Sequence, residues 1–282
     1  MSASIDKIDF HGLPALELCD GTGARAIVTL FGAQVLSWIP AGSDERLYLS
    51  ERACFDGSSA IRGGIPVCFP QFSGLGKLPK HGLARQATWE TRELRSSKDH
   101  ALATLGLTDD DHTHALWPSM FDAELTVVLE QRRLDVEFSV RNTGHAPFAF
   151  TAALHTYLRV REVENAALEG LYGYEYRDAA DKDRIRRDTG EAVHVEAEVN
   201  RVYHHVTRPL LLRDSGRSLG IHAEGFPDVV VWNPWETNCA ALADMPPLGF
   251  RHMLCVEAAA ARQRIALDAG AEWTGRQTLI AL

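Results

Sequence analysis

Four side chains able to donate to an anion, Arg62, Lys80, His81 and Arg85, lie within one short stretch of the chain. Around them stand the apolar residues Ile65, Val67, Phe69 and Phe72. Arginine in such a setting reads a phosphate well, because its planar fork donates two parallel bonds and never loses its charge. Each charge-assisted bond is worth about 1.5 to 3 kcal/mol, so two could offset the desolvation of a phosphate. A cationic pocket with an apolar floor is the simplest reading; the other is a pair of surface arginines answering nearby acids. The same stretch holds three prolines and five glycines, so neither a helix nor a long central strand can run through it. A backbone that irregular needs a scaffold to hold it.

Two further candidates for chemistry lie far downstream. Between Phe148 and Val160 the sequence alternates, with Phe148, Phe150, Ala152, Leu154, Leu158 and Val160 on one face and Ala149, Thr151, Ala153, His155 and Tyr157 on the other. The first face is a core face. The second is small and polar, which leaves room for a ligand beside His155, although a lone histidine on a strand can equally be a half-buried structural residue. Glu257 sits in Leu-Cys-Val-Glu-Ala-Ala, with Met253 and Cys255 on its own face. A carboxyl among apolar neighbours could be raised in pKa by desolvation and take a proton near neutral pH, or it could be an edge-strand charge that discourages aggregation.

The elements that must position these residues are strands. Leu16 to Ile39 reads as a hairpin, Arg46 to Leu49 as a second short one, and Gln86 to Arg92 with Ala101 to Leu107 as another pair. The strongest period-two signal runs from Ala123 to Val140 with its turn at Glu130 to Arg133. Asp109 to His114 reads as an acidic loop and Arg177 to Thr189 as a charged, solvated one. Alternation returns over Ala192 to Tyr203, Pro209 to His222, Val229 to Trp232, His252 to Ala258, Arg264 to Leu267 and Gln277 to Leu282. No window carries a long 3.6-residue apolar stripe. The fold class is therefore all-β, a large antiparallel sandwich, read as a single domain over residues 1–282 with no linker of biased composition.

Composition narrows the function. A formal net charge of -9 argues against nucleic acid or an anionic membrane as partner, since both need a broad basic face. It also means that local donors must reverse the field wherever an anion binds. Cys19, Cys54, Cys68, Cys239 and Cys255 are scattered and odd in number, which fits free thiols, and the start carries no apolar run of signal-peptide length. These features point to a cytoplasmic protein, and the expected state is a monomer. His112 with His114, and the adjacent His204 and His205, lack other ligands at metal spacing and read as solvated histidines, and no metal is expected. Gly74-Leu-Gly76-Lys77 lacks the full spacing of a phosphate loop, and Pro79 argues against the helix such a loop requires.

Arg62 to Pro66, Arg-Gly-Gly-Ile-Pro, and Leu78 to Arg85, Leu-Pro-Lys-His-Gly-Leu-Ala-Arg, resemble in order and spacing the signature of the hexose-6-phosphate mutarotases, or glucose-6-phosphate 1-epimerases, of the galactose-mutarotase-like superfamily. The resemblance implies a β-supersandwich, and it extends to Ala-Leu-His-Thr-Tyr around His155 and Cys-Val-Glu at Glu257. By it, His155 is the general acid and Glu257 the general base, Arg62 and Arg85 hold the sugar phosphate, and His81 touches substrate. Two positions depart from the family pattern. Lys80 stands where Gln is usual, and Asn200, in Asn-Arg-Val-Tyr, stands where Asp is usual. An Asn can still bridge two sugar hydroxyls, but the site gains two units of positive charge. Trp232 and Trp235 either stack on the sugar or fill the core.

The implied reaction is anomer interconversion of an aldohexose 6-phosphate, glucose 6-phosphate first, with imidazole and carboxyl on opposite edges of one bound pyranose. It involves no redox change and calls for no cofactor. Two other functions fit the same residues: an aldose 1-epimerase for unphosphorylated sugars, and a non-catalytic sugar-phosphate binding protein kept in view by Asn200 and Lys80.

Overall fold

The structure, a computed structural model, describes residues 2–282. Its alternating segments pair into a four-stranded, an eight-stranded and a nine-stranded sheet, all with antiparallel neighbours. The nine-stranded sheet contains the hairpin read from Ala123 to Val140, formed by Phe121–Glu130 and Arg133–Asn142. Strict alternation sends Ala123, Leu125, Val127 and Leu129 inward, where they join Leu154, Val229, Val231, Leu254 and Val256 of the eight-stranded sheet in one contiguous core. That sheet therefore has one face against the core. Its other face carries the residues of interest.

The Gly- and Pro-rich stretch is nailed down at both ends. Phe69 drives its ring into an aromatic cage, with edge contacts to Trp117, Phe121, Phe138 and Phe150 at centroid distances of 5.2 to 5.5 Å. Upstream, the buried amide of Gln34 donates to the carbonyls of Ile61 at 3.1 Å and Gly63 at 2.6 Å. Ile65 donates to Val35, and Leu83 and Ala84 both donate to the carbonyl of Phe69. Gln71 supplies the turn with its missing partners, donating to the carbonyls of Ser73 and Leu78 and accepting from the amide of Leu78. Side chains thus do for this stretch what a ladder does for a strand.

Several expectations change. Arg46 to Leu49 is not a hairpin: Leu47 bridges Leu158 and Leu49 bridges Gly63, so the segment ties two distant parts of the chain together. Asp109 to His114 is not simply a loop, because the Asp110 carboxylate and the Thr113 hydroxyl form a reciprocal cap that starts the short helix Asp111–Leu116. Arg177 to Thr189 belongs mainly to an exposed hairpin of Glu175–Asp178 with Arg184–Arg187, at the edge of the eight-stranded sheet. Ala84–Gln86 is a 3-10 turn, and the strand expected from Gln86 begins only at Glu90. His204 is buried, not solvated, and its Nδ1 lies 3.3 Å from Asp228. Phe148 to Val160 divides into Phe148–Leu154 and Tyr157–Arg159, while His252 to Leu267 is one long strand, Met253–Leu267, that pairs with both halves.

Gly64 sits at φ +60°, and a Cβ there would lie 2.1 Å from the carbonyl oxygen of Val35. Neither the dihedral nor the overlap can be relieved without moving Arg62 and its loop. Gly64→Ala should therefore cost more than about 2 kcal/mol, read as a lower urea midpoint with an unchanged slope.

Candidate functional site

Strand register builds the site. Directly opposed residues in neighbouring strands share a face, and Arg177 opposes Val202, Val202 opposes Val230, and Val230 opposes Glu257. The register that pairs Leu154 with Ala258 and Tyr157 with Cys255 puts His155 across from Glu257. One row therefore runs Arg177, Val202, Val230, Glu257, His155. Two residues along, a parallel row runs Asn200, Trp232, Cys255, Tyr157. All of these residues but Cys255 line the floor of a cleft of about 230 Å³, and the stretch from Phe72 to Arg85 forms its wall.

His155 and Glu257 meet on this floor with Nε2 and Oε1 3.5 Å apart. They lie side by side, not on opposite edges of a space the width of a sugar ring, because they are cross-strand neighbours on one face. His155 is 8% exposed and Glu257 only 1%. His155 Nδ1 and Glu257 Oε2 have no partner among the described residues, so each side chain keeps a free polar atom. Burial pushes the Glu257 carboxyl well above its ordinary range, offset in part by Lys80. It pushes the His155 imidazole well down, helped by His81, Arg85 and Arg62. Both groups are thereby driven toward their neutral forms. Behind them, the buried Gln277 amide reaches from the nine-stranded sheet, accepting from the Thr156 hydroxyl and donating to the carbonyl of Val256. This clasp holds the backbone where the strand breaks after Leu154. Tyr157 stacks on His155 at 4.8 Å, and Trp232 meets both rings edge-on.

The four expected cations all line the cleft, but they are not equivalent. Arg62 donates through Nε to one oxygen of Asp244 at 3.1 Å, with Nη2 also 3.1 Å from that oxygen, and through Nη1 to the Tyr157 hydroxyl at 3.0 Å. The fork expected to read a phosphate is already occupied by a carboxylate. Arg85 has no ion pair among the described residues; Nη2 donates to the Lys80 carbonyl at 2.8 Å and the buried Nε has no partner. Lys80 is exposed and without a counter-charge among the described residues. His81 is buried at φ +68°, held by the Ser73 amide donating to Nδ1 and by the Cys68 thiol beside the same nitrogen, both at 3.2 Å. Burial, then Arg85, Lys80 and Arg62, push it down to about 3, so it is a neutral wall residue, edge-on to His155 at 5.3 Å. Asn200 faces the cleft beside Trp232.

Arg177, which the sequence placed in a solvated loop, also lines the cleft and pairs with Asp183. Its alternation with Tyr176 and Asp178 was the available signal, hidden by the charge density around it. Asp244, the partner of Arg62, had none. Trp232 lines the cleft, whereas Trp235 packs on Phe250 at 5.1 Å. Glu257 is the only carboxylate among the described lining residues. Donor atoms of His155, Cys255 and Glu257 lie within 4.8 Å of one another, a grouping with metal-ligand chemistry. His204 lies deeper, tied to an Asp228 carboxylate that also accepts from the amides of Ala261 and Arg262, and it braces the sheet.

The chain is similar to known proteins along nearly its whole length. A protein of Cenchrus ciliaris is 34% identical over 281 residues, covering 96% of this chain and 85% of its own length. One of Escherichia coli is 31% identical over 263 residues, covering 92% and 85%. Both bear the name "Putative glucose-6-phosphate 1-epimerase". A crystal structure from Salmonella typhimurium, described as a "putative mutarotase", superposes with a TM-score of 0.91 at 26% identity, covering 99% of this chain and 93% of its own. A galactose mutarotase-like protein from Clostridium acetobutylicum shares the fold, with a TM-score of 0.80 at 15% identity and coverage of 100% and 99%. The family model described as Aldose 1-epimerase matches residues 14–279, and the chain belongs to that family.

Proposed function

We propose that the protein interconverts the α and β anomers of an aldohexose 6-phosphate, glucose 6-phosphate foremost, with His155 and Glu257 as its acid and base. The observation that carries this reading is the buried pair itself, 3.5 Å apart on the floor of a cleft whose rim is cationic. In ring opening, one partner gives a proton to the ring oxygen while the other takes the proton of the C1 hydroxyl. The bond from C1 to the ring oxygen breaks and C1 becomes an aldehyde carbon. Rotation about C1–C2 and the reverse transfers close the ring with the other configuration. Both oxygens are bonded to C1, so two groups side by side can serve them together, which suits the arrangement better than opposite edges would.

One proton shared by the pair is enough, because the reaction consumes none. The names of the relatives support a phosphorylated sugar as substrate. Lys80 and Arg85, the rim cations without a carboxylate partner, are the proposed phosphate ligands, with Arg62 positioning Tyr157 and Asn200 and Arg177 meeting the hydroxyl side of the sugar. The chain is proposed to act as one domain, since the row of site residues is fixed by strands drawn from residues 148 to 267 and the wall by residues 72 to 85.

Magnetisation-transfer NMR of anomer exchange tests the roles. His155→Ala and Glu257→Ala should each lower the rate with glucose 6-phosphate by about 10²-fold or more while the fold persists. Lys80→Gln and Arg85→Gln should raise KM about tenfold or more, the loss of a charge-assisted bond. Native rates in both of the first two variants would refute the assignment, and equal kcat/KM for glucose and glucose 6-phosphate would refute the phosphate reading.

Burial of Glu257 has a second measurable consequence. A carboxyl whose folded pKa lies above its unfolded value stabilises fully only below the unfolded pKa and loses that contribution as pH rises toward the folded one. For Glu257 the loss begins near the ordinary value of 4.5 and deepens by about 1.4 kcal/mol for every pH unit climbed until the folded carboxyl itself ionises. Glu257→Gln should match the native protein in melting temperature near that pH and exceed it at neutral and alkaline pH. A gap that shrinks as pH rises would contradict the buried neutral carboxyl.

A further inference from the structure

Among the described residues no strong hydrogen bond fixes the plane of the His155 ring: Nδ1 has no partner, and Nε2 reaches Glu257 only at 3.5 Å, the outer limit of such a bond. What the imidazole does have is a face. Tyr157 lies against it with ring centroids 4.8 Å apart and planes inclined by only 11°, while Trp232 meets both rings nearly perpendicular. A stacking contact sets a plane but leaves the ring free to slide within it unless its far end is tied. The Tyr157 hydroxyl is tied to Arg62 Nη1 at 3.0 Å. Arg62 in turn is a long side chain that would spread over many rotamers in water. The group that removes that freedom is Asp244, one oxygen of which lies 3.1 Å from both Nε and Nη2. Asp244 is itself anchored, since its carbonyl accepts from the Ser50 hydroxyl at 2.6 Å. The next residue, Met245, is buried with Tyr157, Tyr48, Phe250 and Cys255 in one small apolar cluster. The segment that carries Asp244 is thus joined to Tyr157 by two routes, the Arg62 fork and apolar packing.

We propose, resting on the function above, that Asp244 is a positioning residue for the anomer exchange: by engaging one edge of Arg62 it leaves Nη1 for the Tyr157 hydroxyl, and the stacked Tyr157 ring holds the His155 imidazole at the angle in which it exchanges protons with the sugar. Asp244 does not itself line the cleft, so it acts through these two residues. No proton passes along the relay; it transmits geometry alone. Two consequences separate it from other roles. Arg62 is committed to Tyr157, so the phosphate is left to Lys80 and Arg85, and loosening Asp244 does not strengthen substrate binding. The influence of Asp244 on the rate also passes through the Tyr157 hydroxyl, so it disappears once that hydroxyl is gone.

Asp244→Ala, Tyr157→Phe and the double variant are compared with the native full chain by magnetisation-transfer NMR of glucose 6-phosphate, and the His155 ring-proton shifts are read in the sugar-free proteins. Each single variant should lower kcat about tenfold while KM stays within about twofold, since misplacing a group that handles protons costs rate and not binding. The double variant should fall no further than the slower single one. The His155 ring protons should move in all three, because the ring current they feel from Tyr157 has turned. Asp244→Asn, which keeps an acceptor in place, is read the same way should the alanine variant not fold, with a loss of about threefold. A lowered KM at native kcat in Asp244→Ala would mean that the carboxylate merely withholds Arg62 from the phosphate, and it overturns the relay. So does a native rate with unmoved ring shifts, or a double variant whose losses multiply, and in each of these cases the proposed function stands. A native protein that leaves the anomers of glucose 6-phosphate unexchanged overturns the function, and the role of Asp244 with it.

Discussion

The register of the long strand Met253–Leu267 is the constraint on which the rest of the structure depends. It pairs on one side with Asp228–Asn233 and on the other with both halves of the strand that breaks at His155. Its side chains alternate between two destinations: Leu254, Val256 and Ala258 go to the central core, and Met253, Cys255 and Glu257 to the opposite face. A slip of one residue would exchange Val256 and Glu257, placing a carboxyl in the core and a valine in the cleft. Burial of the apolar set therefore fixes the carboxyl. The same logic fixes His155, since Leu154 and Leu158 anchor the facing strand in that core.

Charge is distributed against the average of the chain. A net charge of -9 would keep anions away at long range, yet the cleft contains one carboxyl group, driven toward its neutral form, and several cations. The distinction that matters is between answered and unanswered cations. Arg62 and Arg177 are held by Asp244 and Asp183, so they shape the cleft with charge that is at least partly answered. Lys80 and Arg85 are unanswered, and they sit on the irregular wall where the backbone follows Gln71 and Phe69 and not a ladder. Rigid strands position the groups proposed to handle protons, and a side-chain-braced loop positions those proposed to hold charge.

Much of this was legible in the sequence. Alternation from Ala123 to Val140 and from Phe148 to Val160 fixed which residues face the core, and the free face of His155 followed. The Arg62 to Arg85 stretch announced an irregular wall through its glycines and prolines. What alternation cannot supply is the lateral order of strands: the neighbours of Glu257 in space, His155 and Val230, come from segments far away in the chain. For the same reason the approach of Asp244 to Arg62 had no local signature. Charged stretches hide edge strands, which is why Arg177 read as solvated. A short capped helix such as Asp111–Leu116 is too brief to show a helical period.

The arrangement of the buried pair carries a cost. A buried carboxyl and a buried imidazole, each with a polar atom left unpaired, are a local loss that the fold tolerates only because the face behind them is packed as a core. Glu257 Oε2 and His155 Nδ1 are themselves enclosed, so the loss belongs to the folded protein before any ligand arrives. The unanswered charges on the wall are the proposed seat of an anionic tail, and the buried pair on the floor the proposed seat of the hemiacetal carbon. Because Gln34, Gln71 and the carbonyl of Phe69 brace that wall, the two sets of groups are held in one cleft.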